Sequence, residues 1–133
     1  VEDSPLYPQD KLQRARVDQW MDYIRVHLGH WLTTLYWEKI IKVQEGLGET
    51  NEVNCQKALK FAHPQMTMVH ELLGHSNWLA NDALSIADLF AFAYVEQFRA
   101  VEFPLDDYSH ARTWFDRIEA RPTIARARAH VGQ

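Results

Sequence analysis

The chain has 133 residues, of which 47% are hydrophobic, 12% aromatic and 24% charged, with a formal net charge of −4. Its length suits one domain with a single core, and this composition excludes intrinsic disorder and collagen-like repeats. The net negative charge excludes a general basic field for nucleic acid. One cysteine cannot form an internal disulfide, so we expect a reducing, cytoplasmic compartment. The acidic start and a longest apolar run of seven residues, Leu89 to Val95, predict neither a secretory signal nor a membrane span.

The first pattern along the chain is a stripe of apolar residues spaced four and three positions apart, which predicts one long helix from about Gln9 to Lys42. The stripe consists of Val17, Met21, Ile24, Leu28, Trp31 and Leu35. Before it, Pro5 and Pro8 indicate an extended lead-in segment, because proline disfavours helix at the preceding residue. Gly29 inside the helix indicates either a bend or close approach of another backbone, or a glycine that the helix merely tolerates.

A second stripe with the same spacing follows a glycine-containing turn at residues 44–51 and predicts a helix from Glu52 to Leu73. The stripe consists of Cys55, Leu59, Ala62, Met66, Val69 and Leu73. Pro64 lies inside this helix, where proline removes a backbone hydrogen bond at a cost of about 3 kcal/mol, so we expect a kink at His63–Pro64. Because Cys55 belongs to the stripe, we expect a core residue there and not a reactive thiol.

The sharpest local signal is a capping box, in which Ser85 is followed three residues later by Asp88. It predicts the start of a third helix, from Ile86 to about Val101. The first turns of this helix are apolar on every side, so we expect neighbouring helices to surround it. It would then be the buried centre of the domain.

The last third of the chain predicts two further helices. Asp106 or Asp107 is expected to cap a fourth helix, which presents Ala111, Trp114, Phe115 and Ile118 to the core. Pro122 then begins a short final helix over residues 123–130. Residues 112–133 hold five arginines against two acidic residues, which indicates a solvated face or, alternatively, a patch for an acidic partner or RNA. The predicted fold is all-α, with about five helices around a buried central helix and no sheet.

No self-contained catalytic or metal site is predicted. His70 and His75 are five residues apart, about 140° around a helix, whereas the zinc-protease motif needs a separation of four. His27 and His30 are only a pair, and a structural zinc site needs more ligands. The sequence also contains no nucleophile elbow, phosphate loop or dinucleotide fingerprint.

Three motifs resemble the C-terminal helical domain of the cytosolic glutathione transferases, of the theta-like or bacterial type. LSIADLF at residues 84–90 resembles the capping box of the family's buried core helix, and WFDRIEARP at residues 114–122 resembles its W-x-x-R-[IM]-x-x-R-P motif. LYP at residues 6–8 and RARVDQW at residues 14–20 resemble the family's linker and first long helix. The motifs occur in the family's order, so the resemblance covers essentially the whole chain.

The resemblance implies a linker remnant at residues 1–8 and the helical domain at residues 9–133. The family's thioredoxin-like N-terminal domain, which binds glutathione and carries the catalytic residue, is absent from this sequence. The helical domain supplies the pocket for a hydrophobic electrophile and much of the dimer interface. We therefore expect glutathione as co-substrate of the intact protein, no cofactor held by this chain alone, and no activity of the isolated chain. Ser85 and Asp88 are expected to act in folding and not in catalysis.

The resemblance places the electrophile pocket along the first helix, beside the core stripe. Substrate-binding residues there would be Gln19, Tyr23, Val26 and His30, with Arg16 near the glutathione end of the site. The same face would equally suit a dimer contact or solvent. An alternative function is a non-catalytic interaction module that docks onto a similar domain, as in the gamma subunit of translation elongation factor one and in some aminoacyl-tRNA synthetases. Neither function predicts a membrane or nucleic-acid partner.

Overall fold

A computed structural model describes the backbone of residues 4–131 and the side chains of residues 4–130. Within that range the chain forms five helices and no strand, which confirms the all-α prediction. The helices are α1 at residues 11–44, α2 at Glu52–Leu73, α3 at Ile86–Val95, α4 at Ser109–Glu119 and α5 at Pro122–Val131. Short 3-10 turns lie at Glu96–Arg99 and Leu105–Asp107.

Helix α1 is interrupted by two π-helical turns, at Ile24–Leu28 and Trp37–Ile41. In the first of them the backbone N–H of Gly29 donates to the Ile24 carbonyl, five residues back. A π turn takes up one extra residue, so every later side chain is displaced by about 100° from its position in a uniform helix. The stripe predicted from uniform spacing is therefore wrong at Trp31, which is only half-buried, whereas Leu32 is 1% exposed.

Gly29 marks a close approach between helices. A Cβ atom added there would lie 2.9 Å from ring atoms of Tyr94 on α3 and 2.8 Å from the Ile24 carbonyl oxygen. Gly29 is therefore not merely tolerated, but the close neighbour is the Tyr94 side chain and not the second backbone that the sequence predicted. The missing side chain lets α1 and α3 pack together.

The N-cap of helix α2 is Asn51, whose side chain accepts a hydrogen bond from the Asn54 backbone N–H. The helix continues through Pro64 to Leu73 without interruption. The kink expected at His63–Pro64 stays a prediction. Cys55 is 1% exposed in the core, and burial raises the pKa of its thiol.

A buried carboxylate fixes the start of α2 to the end of α1. Glu38, which is 4% exposed, accepts hydrogen bonds from the Lys42 ammonium (2.9 Å), the Asn51 backbone N–H (3.1 Å) and the Asn54 side-chain amide (2.8 Å). These donors lower the pKa of Glu38 to about 2, with the Asn54 bond the largest cause. Because Glu38 lies in the second π turn, the irregular end of α1 carries this contact.

Asp88 connects three parts of the fold. Ser85 and Asp88 form the capping box at the start of α3, where Oδ2 of Asp88 accepts from the Ser85 backbone N–H (2.9 Å) and hydroxyl (3.0 Å). Its other oxygen, Oδ1, accepts from the Leu79 backbone N–H (2.9 Å) and from the indole N–H of Trp114 (3.0 Å). The fully buried carboxylate thus joins α3 to the preceding loop and to α4.

Two predicted boundaries in the last third are wrong. Helix α3 ends at Val95 and not near Val101, because the chain tightens into a 3-10 turn that places Phe98 edge-on against Phe115, with ring centroids 5.3 Å apart. Helix α4 has Tyr108 at its N-cap, so neither predicted aspartate caps it. Asp106 instead accepts a hydrogen bond from the Arg112 guanidinium.

Candidate functional site

The central helix α3 is buried along one side and open along the other. Ala87, Ala91, Phe92 and Val95 are buried, and Phe92 stacks on Phe115 with ring centroids 4.7 Å apart. The opposite side consists of Ile86, Phe90, Ala93, Tyr94 and, in the following turn, Gln97. Ile86 and Ala93 are exposed, whereas Phe90 and Tyr94 are half-buried against the core. Helix α3 is therefore the buried central helix that the sequence predicted, with a strip along one side that no other helix covers.

Two clefts lie on this open face, and a third lies beside them. At its N-terminal end a cleft of about 320 Å³ is lined by Ser4, Leu6, Tyr7, Asp18, Met21 and Ile86. Further along, a cleft of about 330 Å³ is lined by Phe90, Ala93, Tyr94 and Gln97. Beside it, a cleft of about 560 Å³ is lined by Leu89, Phe92, Ala93, Glu96, Ile124, Ala127 and Arg128. The open face is thus a long, uneven and mainly apolar surface.

The lead-in segment is fixed to the same end of α3. The carbonyl oxygen of Leu6 accepts a hydrogen bond from the Ile86 backbone N–H at 2.8 Å. The Tyr7 hydroxyl donates to Asp18 on α1 at 2.8 Å, and this bond is the main reason that the pKa of Tyr7 is raised. The chain therefore enters the domain directly beside the open face.

The five residues predicted to bind ligands do not form one continuous line. Arg16 lies on a separate cleft of about 250 Å³ between the lead-in segment and the loop at residues 81–85. Tyr23 is directed towards α2, where its hydroxyl donates to the Gln65 side chain at 2.6 Å, and burial raises its pKa.

The remaining three predicted residues lie on the outer surface of α1. Gln19 and His30 are exposed, and Val26 is 55% exposed within the first π turn. The His30 ring meets Trp31 edge-on, with ring centroids 4.6 Å apart. The π turn separates His30 from the line of Tyr23 and Val26, because the predicted stripe assumed uniform helical spacing. Ligand binding by these residues remains a prediction.

Sequence reasoning missed two surfaces. One is the open face of α3. Its signal in the sequence is a helix that is apolar on every side in a chain with few other helices to cover it. The other is an aromatic contact between α1 and α2, where Trp31 stacks on Phe61 with ring centroids 4.8 Å apart. Phe61 is 41% exposed, so this contact leaves an aromatic surface outside the core.

Most of the arginines in the last third have partners within the fold. Arg128 pairs with Glu96 and Glu119, and Arg99 pairs with Glu119. Hydrogen bonds from Arg128 and Arg99 lower the pKa of Glu119. Two more arginines have partners in the fold. Arg112 forms ion pairs with Asp106 and Asp116, and Arg117 donates a hydrogen bond to the Asn77 carbonyl. This internal pairing favours a solvated face over a patch for an acidic partner.

The described residues show neither a metal centre nor a membrane span. No group of three histidine, cysteine, aspartate or glutamate side chains within residues 4–131 could hold a metal ion. None of the helices in that range is both long and apolar enough to cross a bilayer.

The capped central helix and its Trp114 partner lie in the part of the sequence that matches a known family. The sequence profile of the glutathione S-transferase C-terminal domain matches residues 27–122. The chain belongs to this family.

Similar proteins agree with this assignment. A probable glutathione S-transferase, GSTF1, of Oryza sativa subsp. japonica is 28% identical over 121 residues, which cover 88% of this chain and 54% of the relative. Glutathione S-transferase GstA of Escherichia coli O157:H7 is 24% identical over 127 residues, covering 96% of this chain and 58% of the relative. A crystal structure of a glutathione S-transferase from Xanthobacter autotrophicus has a TM-score of 0.80 at 24% identity, covering 91% of this chain and 58% of that one. The chain thus spans little more than half the length of these proteins.

Proposed function

We propose that this chain is the helical half of a glutathione transferase, and that the open face of α3 docks the thioredoxin-like half. A face made of Ile86, Phe90 and Ala93 is costly to leave in water, since apolar burial contributes about 25 cal/mol per Å². This apolar, uncovered side of a helix that has no polar side is the observation that carries the proposal.

The lead-in segment supports the same arrangement. Its hydrogen bond to Ile86 holds the chain at the edge of the open face, so a domain preceding residue 4 would emerge beside the surface that it is proposed to cover. Docking there would close the clefts along α3 into enclosed pockets. Enclosed, mainly apolar pockets are typical of sites for hydrophobic small molecules.

In the proposed reaction the thiolate of glutathione attacks a hydrophobic electrophile. The thioredoxin-like half would bind glutathione and favour its thiolate, and this chain would bind and orient the electrophile, which lowers the entropic cost of the encounter. No side chain here is assigned as acid, base or nucleophile. The predicted residues Gln19, Tyr23, Val26 and His30, with Arg16 towards glutathione, remain candidates together with Phe90 and Tyr94.

A homodimer and a cytoplasmic location are further parts of the proposal. The exposed aromatic surface of Trp31 and Phe61 supports association with a second copy, because aromatic side chains are enriched at interfaces. A reducing compartment suits a single, buried cysteine.

The experiment is expression of the protein from the natural start of its gene, beside the 133-residue chain, with a chromogenic aryl halide and glutathione as substrates. We expect about 80 additional residues of thioredoxin-like pattern, turnover by the longer protein, and none by the shorter chain. An unrelated upstream domain, or turnover by the 133-residue chain, would contradict the proposal.

A matched pair of variants tests the docking face. Ala93→Glu places a charge on the open face, whereas Ala125→Glu places the same charge on an exposed position of α5 that lines none of the three clefts. We expect the first to abolish turnover of the longer protein and the second to leave it unchanged. Equal effects of the two variants would speak against docking on α3.

A further inference from the structure

Two histidines join the end of α2 to the beginning of α4. The rings of His70, on α2, and His110, in the first turn of α4, stack with centroids 4.5 Å apart and an interplanar angle of 12°. The backbone N–H of His110 donates to Nδ1 of His70 at 3.3 Å. Gly74 at the end of α2 leaves room for this stack, since a Cβ atom there would lie 2.8 Å from Nδ1 of His110.

This hydrogen bond depends on the protonation state of His70. A backbone N–H can only donate, so Nδ1 of His70 accepts it only when the ring is neutral and carries its proton on Nε2. The first N–H groups of a helix have no partner inside the helix. The N-cap of α4, Tyr108, provides no side-chain acceptor, and His70 takes that role from a neighbouring helix.

We propose that the His70–His110 contact, here called the latch, is pH-sensitive: it holds α4 on α2 while both rings are neutral and weakens when they are protonated. Protonation of His70 would direct one N–H at another. Two stacked cations would repel, and both would lie at the N-terminal, positive end of the α4 dipole. All three effects oppose the contact.

Ionisable groups of both signs surround the latch. On α2 the neighbouring ionisable residues are His63, Glu71 and His75, and on the turn and first residues of α4 they are Asp106, Asp107, Tyr108 and Arg112. Asp106 is already paired with Arg112. Tyr108 lies edge-on to His70, with ring centroids 6.0 Å apart, and its hydroxyl is 2.6 Å from Nδ1 of His63.

The contact between His63 and Tyr108 provides an internal contrast. A tyrosine hydroxyl can donate to a neutral imidazole or accept from a protonated one. This hydrogen bond therefore survives protonation of His63, whereas the bond between the His110 amide and His70 does not. Acid weakening should be specific to the latch.

The test is urea unfolding of the 133-residue chain at about pH 8 and about pH 5.5, a window in which free imidazole side chains become charged. We expect the wild-type midpoint to fall by about 0.5 M or more between the two values. His70→Gln keeps an acceptor for the His110 amide but cannot be protonated, so most of this fall should disappear. The matched control His63→Gln should retain it. An unchanged pH response of His70→Gln would overturn the proposal.

A second measurement needs no variant. The ¹⁵N chemical shifts of the His70 ring in the wild-type chain at about pH 8 should show an unprotonated Nδ1. The amide proton of His110 should then shift with pH in step with that ring. A protonated Nδ1 at that pH, or a His110 amide that is insensitive to the titration of His70, would equally overturn the proposal.

Discussion

Replacement of Asp88 should be among the most destabilising single changes in this chain. The carboxylate is fully buried and accepts four hydrogen bonds, two within the capping box and two from other parts of the fold. In Asp88→Ala the Leu79 amide and the Trp114 indole lose their acceptor inside the core. Each buried donor left without a partner costs about 1–3 kcal/mol.

These two donors together set an expected loss of about 2–6 kcal/mol for Asp88→Ala. Domains of this kind unfold with about 5–15 kcal/mol, so the loss is a large part of the total. Asp88→Asn keeps one acceptor oxygen and should lose less. The measurement is urea unfolding at neutral pH followed by helical circular dichroism.

A double-mutant cycle isolates the hydrogen bond between the Trp114 indole and the Asp88 carboxylate. Trp114→Phe removes the indole N–H while keeping an aromatic ring, and the pair Asp88→Asn with Trp114→Phe should show a coupling of about 0.5–3 kcal/mol. A loss below about 1 kcal/mol for Asp88→Ala, or additive effects in the cycle, would refute the role given to this carboxylate.

Three further outcomes are expected. Gly29→Ala should destabilise the chain by about 1–3 kcal/mol, because the added methyl group meets the Tyr94 ring and the Ile24 carbonyl. The same change at an open helix position would stabilise the chain by about 1 kcal/mol, so a gain in melting temperature would contradict this prediction. The pKa of Glu38 is about 2 in the fold against 4.5 for the ordinary group, so the free energy of unfolding should decrease as the pH falls from 4.5 towards 2. Glu38→Gln should remove that part of the acid dependence in urea titrations. Cys55 should react with a thiol reagent only after unfolding, because it is 1% exposed and burial raises its pKa; rapid labelling of the native chain would show that this part of the core opens.

The features that the sequence predicted well are those that local chemistry determines. The Ser85–Asp88 box follows from two side chains three residues apart, and the order of the five helices follows from apolar spacing and from prolines and glycines between them. The family resemblance rested on the same local motifs, and the match to residues 27–122 confirms it.

The features that the sequence did not predict depend on contacts between distant residues. The π turn at Ile24–Leu28 brings Gly29 against Tyr94, 65 positions further along the chain, and no uniform periodicity contains that information. Tyr108 replaced the predicted aspartate caps of α4, where a 3-10 turn of Leu105–Asp107 precedes the helix. The direction of Tyr23 likewise depends on Gln65 of α2.

The most direct test of the proposed docking on α3 is hydroxyl-radical footprinting of the open face. Phe90 and Tyr94 would be compared in the 133-residue chain and in the protein expressed from its natural start, with Leu47, 59% exposed in the turn between α1 and α2, as the reference. Phe90 and Tyr94 are half-exposed, so docking of a thioredoxin-like half predicts labelling of both in the short chain and strong protection in the longer protein, with Leu47 unchanged. Equal labelling of Phe90 and Tyr94 in the two proteins would contradict it.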